Sequence, residues 1–123
     1  MIIIDSSGWV EYFANGPLKD KFKKFITGPS DIITPTIVLF EVYRKIRRDA
    51  GRDEALVAAG FLKETHVAPL TETIALTAAE FSIEHSLHMA DSIIYATAFE
   101  YGCKIVTSDA HFEKLENVIY IKK

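Results

Sequence analysis

The stretch from Leu87 to Phe112 constrains the fold of this chain more than any other. Its first half, Met89-Ala90-Asp91-Ser92-Ile93-Ile94-Tyr95-Ala96-Thr97-Ala98, is apolar or small on nearly every side, the pattern of a helix buried in a core rather than of an amphipathic surface helix. Gly102 supplies a helix stop, and Lys104-Ile105-Val106-Thr107 is a short β-branched run that reads as a strand delivering Ser108 and Asp109. The segment therefore presents two acids, Asp91 at the mouth of a buried helix and Asp109 at the end of a strand.

The remaining elements follow in order. Met1 to Ile4 is an unbroken apolar run without alternation, as in a strand buried on both faces of a parallel sheet, and it ends on Asp5. Ser6 or Ser7 caps a first helix carrying Trp9, Val10, Tyr12 and Phe13, which Asn15-Gly16-Pro17 stops. Lys19 to Ile26 reads as an amphipathic helix, and Asp31-Ile32-Ile33 as a strand. Thr34-Pro35 has the form of an N-cap and first helical residue, predicting a third helix that runs through Glu41, turns basic from Arg44 to Arg48, and ends at Gly51. A helix over 52–64, a strand over 65–68 and a helix over 71–86 come before the central segment. A short helical piece and a strand at Val118-Ile119-Tyr120-Ile121 come after it. Short strands alternating with helices argue for an α/β sandwich with a mainly parallel central sheet. At 123 residues, 49% of them hydrophobic, one domain spanning 1–123 suffices.

Where the acids fall is the functional signal. Ligands of open α/β sheets bind beyond the carboxyl ends of strands, where Asp5 and Asp109 stand, while Asp91 and Glu41 are flanked by apolar helix. Taken singly, Asp5 and Asp109 read equally well as helix N-caps, and Asp91 as a first-turn acid favoured by the helix dipole. Glu41 is harder to explain structurally, because the middle of a helix offers a carboxylate no free backbone donor. Burying an ionised carboxylate costs several kcal/mol or more unless it is paired or binds a metal. If the four converge they form an all-oxygen donor set suited to Mg²⁺ or Mn²⁺.

Ile3-Ile4-Asp5-Ser6-Ser7, Glu41 in its apolar helix, the run from Met89 to Ala98, and Thr107-Ser108-Asp109-Ala110-His111-Phe112 together resemble the four blocks of a PIN domain across the whole chain. The compact length resembles the VapC-type toxin ribonucleases of toxin–antitoxin pairs. The resemblance implies a three-layer α/β/α sandwich and a metal-dependent endoribonuclease. Asp5, Glu41, Asp91 and Asp109 would be its catalytic, metal-binding quartet, with Ser6 and Thr107 in support. It further implies a cognate antitoxin and a homodimer. Two positions depart from the family pattern: Ser7 stands where many members have Asn, and His111 where a further acid is common.

Arg44, Lys45, Arg47 and Arg48 lie within two turns of Glu41, and either steer an RNA phosphate backbone or simply offset the negative C-terminal end of their helix. The net charge of −3 does not advertise a nucleic-acid binder, so any such contact must be locally concentrated. Cys103, the single cysteine, reads as an inert buried thiol. His85 and His88 have a spacing seen in metal sites, but no further His or Cys completes one nearby, and His111 reads as a loop residue near the acids. Without a signal-peptide core or an apolar run approaching roughly 18 residues, a soluble cytoplasmic protein is expected. The competing readings are a PIN-like RNA-processing nuclease that is not a toxin, a Mg²⁺-dependent phosphohydrolase, and a receiver-like signalling module. The last two lack, respectively, an Asp at the Ser7 position and a paired acid with a late-strand Lys.

Overall fold

Five parallel strands, β1 (Ile2–Ile4), β2 (Ile32–Pro35), β3 (His66–Ala68), β4 (Lys104–Thr107) and β5 (Val118–Tyr120), form a single sheet in the order β3-β2-β1-β4-β5. The structure, a computed structural model, describes all of residues 1–123. Six helices connect the strands: α1 (Ser6–Phe13), α2 (Lys19–Lys23), α3 (Thr36–Ala50), α4 (Arg52–Lys63), α5 (Glu72–His85) and α6 (Met89–Tyr101). The chain steps outward from β1 to β2 and β3, then crosses back to β4 on the other side of β1. Because parallel crossovers are right-handed, this reversal puts α1–α4 and α5–α6 on opposite faces, giving the three layers. It also opens a crevice at the carboxyl ends of β1 and β4, where the strand order reverses.

The core explains why the inner strands carry no alternation. Ile3, Ile4, Ile32, Ile33, Ile105 and Val106 are all essentially without solvent exposure, since helices cover both faces. Trp9 and Phe22 fill one side, and Gly8 lets them approach. A Cβ on Gly8 would lie 2.5 Å from the Phe22 ring and 2.8 Å from the Ile4 side chain. Ser92, Ile93, Ile94, Ala96, Thr97 and Ala98 of α6 are buried, while Met89 and Phe99 near its ends are exposed. Gly102, at φ 64°, ends α6 in the left-handed conformation, and one further residue leads into β4. So short a connection makes the helix fold back along the strand, returning Asp91 to the carboxyl end of β4.

Several local expectations differ, first the cap of α1, which is Asp5 rather than Ser6 or Ser7. Thr34 and Pro35 close β2 instead of opening α3. The Thr34 hydroxyl meets that of Thr65 at 2.6 Å inside the core, and Thr34 and Pro35 pair with Val67 and Ala68 of β3. The proline's missing N–H costs nothing there, because pairing to β1 stops at Ile33. Helix α2 ends at Lys23 rather than Ile26, and Asp31 belongs to a 3₁₀ turn over Pro29–Asp31 rather than to the strand. No helix is long and apolar enough to cross a membrane.

Candidate active site

Asp5 stands at the hub. It follows β1 directly, its backbone N–H donates to Val106 of β4 at 2.9 Å, and it is 2% exposed. Its carboxylate does two jobs. Oδ1 accepts the Ser6 N–H at 2.8 Å, capping α1, while Oδ2 accepts the hydroxyls of Thr107 at 2.7 Å and Ser7 at 3.2 Å. The Thr107 hydroxyl in turn accepts the N–H of Asp109 at 2.9 Å, so one side chain fixes both strand-end acids. Ser7, where the family pattern favours Asn, also accepts the Ser108 N–H at 3.4 Å and ties α1 to the end of β4. Burial pushes the Asp5 carboxyl above its ordinary range, against the opposing pull of Thr107 and Ser6.

Asp109 caps a turn and also lines the cavity that the other acids border. Oδ1 accepts the N–H of His111 at 2.9 Å, opening the 3₁₀ turn Ala110–Phe112, and lies 2.8 Å from the same residue's Nδ1. Asp91, at the third position of α6, accepts no backbone hydrogen bond and caps nothing. His111 Nδ1 lies 3.6 Å from its Oδ2. Burial, then the charges of Asp109 and Asp5, push its carboxyl up to about 6. Glu41 presents Oε1 as a buried oxygen without any hydrogen-bond partner. Burial raises its pKa as well, only partly offset by the Ser6 hydroxyl and reinforced by Asp5, Asp91 and Asp109.

All four acids line one cavity of about 590 Å³, together with Ser6, Ser7 and Ser108. An unpartnered buried carboxylate oxygen on one cavity with three more acids is a donor set whose hard oxygens fit a divalent ion. The basic helix segment divides. Arg44 and Lys45 border this cavity, whereas Arg47 and Arg48 line an adjoining groove between α3 and α4, to which Arg44 and the exposed Phe40 also belong. Lys45 and Arg48 both contact Asp49, at 3.0 and 2.9 Å. Lys123 borders the acids too, a contact nothing in its sequence context signals. His85 packs against Phe81 and Tyr95, away from any metal cluster, and Cys103 is half-buried, with burial pushing its thiol up.

The PIN domain profile matches residues 2–118, and the chain belongs to the PIN domain family. Solved structures share the fold. A toxin–antitoxin complex from Klebsiella pneumoniae matches with a TM-score of 0.83 at 18% identity over 100% of both chains. VapC20 of Mycobacterium tuberculosis, a sarcin-ricin-loop-cleaving toxin, matches with a TM-score of 0.81 at 19% identity, again over 100% of both chains. DNA-bound VapBC from Salmonella typhimurium gives 0.75 at 17%, covering 98% of this chain and 96% of that one. No curated protein matches the sequence itself.

Proposed function

We propose that this chain is a divalent-metal-dependent endoribonuclease and the toxin of a toxin–antitoxin pair. The observation that carries the reading is the convergence of Asp5, Glu41, Asp91 and Asp109 on one cavity, with Glu41 Oε1 buried there unpartnered. Asp5, Asp91, Asp109 and Glu41 would hold Mg²⁺ or Mn²⁺. Such an ion would screen the phosphodiester's charge and acidify an attacking water. The chain's own groups do the positioning. Thr107 and Ser6 orient the Asp5 carboxylate, and Thr107 sets the Asp109 backbone. Arg44 and Lys45 on the rim offset the four negative charges that would otherwise repel an RNA phosphate. The fold shared with toxins solved as antitoxin complexes supports a protein antitoxin partner, and exposed apolar side chains on α5 and α6 support a homodimer.

The test sets RNA, a generic phosphate ester and acetyl phosphate side by side, with Mg²⁺, with Mn²⁺ and with EDTA. Cleavage of RNA alone, abolished by EDTA and by Asp91→Asn, is expected. Undiminished cleavage after thorough chelation would reject the metal centre. Turnover of the small phosphates instead would point to a phosphohydrolase. A small partner protein encoded immediately upstream that silences the activity separates a toxin from an RNA-processing enzyme.

A further inference from the structure

His111 is a feature of the site that the quartet leaves unused. The Asp109-Ala110-His111 turn is locked by the His111 N–H on Asp109 Oδ1 at 2.9 Å, which aims the ring back towards the acids. There Nδ1 lies 2.8 Å from Asp109 Oδ1 and 3.6 Å from Asp91 Oδ2, so that one donor atom from each of the three residues falls within 4.8 Å of the others. The ring of His88 packs edge-on at 5.6 Å and restricts the alternatives open to the His111 ring. The His111 side chain is 60% exposed, so core packing does not account for its orientation. A nitrogen and two carboxylate oxygens at that spacing can share one ion.

The geometry points to His111 Nδ1 as a direct ligand of the divalent ion, giving a mixed nitrogen and oxygen site that favours Mn²⁺ or Co²⁺ over Mg²⁺. The inference rests on the nuclease reading of the acids and assigns this chain's own metal preference within it. Carboxylates alone suit Mg²⁺, which keeps oxygen and water around itself, whereas imidazole binds transition metals far better. An acid at this position would leave the preference with Mg²⁺.

The experiment measures binding rather than cleavage. Chelator-stripped protein is titrated with Mn²⁺, following the free-ion EPR signal, with Co²⁺, following its visible absorption, and with Mg²⁺ by calorimetry. Wild type, His111→Ala, His111→Asp and Asp91→Asn are compared. His111→Ala should lose about tenfold or more of its Mn²⁺ and Co²⁺ affinity, at least the loss that follows removal of an outer-sphere partner, with Mg²⁺ changed much less. His111→Asp should bind Mg²⁺ more tightly than wild type and lose the Co²⁺ absorption of a nitrogen-ligated ion. Unchanged Mn²⁺ and Co²⁺ binding by His111→Ala, while Asp91→Asn abolishes it, would overturn the His111 assignment and leave the metal centre standing. An equal loss for all three ions would overturn it as well, reducing His111 to a residue that positions Asp109. Wild type that takes up no divalent ion would overturn both readings together.

Discussion

Asp91 carries its proton up to about 6 instead of the ordinary 3.8, because its carboxylate is buried and Asp109 and Asp5 add negative charge beside it. A folded-state pKa raised in this way contributes stability that is complete below the unfolded value and lost as pH rises through about 6. Asp5 and Glu41 shift in the same direction, with burial again the leading cause. Urea unfolding in EDTA should therefore show stability falling by roughly 1 kcal/mol between about pH 5 and 7.5 from Asp91 alone. Excess Mn²⁺ should reverse the trend, since it binds the ionised acids. Asp91→Asn removes one charge at nearly constant shape. In EDTA near neutral pH it should be as stable as the parent or more so, with a flatter pH dependence, while cleavage falls by orders of magnitude. If Asp91 served only as a helix-terminal acid, the same variant would lose on the order of 1 kcal/mol and stay active.

At the scale of elements, α1 and α3 do the most to shape the site, and each offers a test. Gly8→Ala pushes a methyl into the Phe22 ring and the Ile4 side chain, so α1, which Asp5 caps at the end of β1, must shift against them. A loss of about 1–3 kcal/mol in urea unfolding is expected. On α3, Arg44 and Arg47 face the cavity and its adjoining groove. Neutralising both should weaken RNA binding and flatten the dependence of log affinity on log salt by about 0.7 for each phosphate that the protein no longer neutralises. Unchanged affinity and slope would return them to a solvated helix end. Much of this arrangement was legible in the sequence, because β1 and α6 have no polar face and can only be interior, and Gly102 is an unambiguous stop. The end of β2 was not. Thr-Pro is the same local signal for a helix start, and what decides against it is Thr65, 31 residues away, whose hydroxyl completes the pair with Thr34. The rim was legible only in part: His111 reads as a loop residue near the acids, but its aim at Asp91 comes from the folded turn, and no motif announces Lys123.

For the whole molecule, the outer helical layer leaves apolar surface unmatched. Phe61 and Phe81 are consumed within the chain, Phe61 against Trp9 and Phe81 against Tyr95 and Phe99. Phe40 stays exposed beside the site, whereas Leu76 and Ile83, seven residues apart on α5, are 72% and 80% exposed. Residues so spaced share one helix face, and pairing two copies through it would remove that face from water. Light scattering at micromolar concentration should report a homodimer, and Leu76→Lys with Ile83→Lys should shift it to monomer while the fold persists. A wild-type protein that is monomeric throughout would reject the association. The hydrogen bond from Thr107 to Asp5 bridges 102 residues of chain. During synthesis, therefore, Asp5 leaves the ribosome long before its partner strand exists, and β4 must insert beside the waiting β1 for the acids to meet. If the acids cut RNA, a chain made only as far as α6 lacks the assembled acids and is harmless to the message that encodes it, and activity waits on β4.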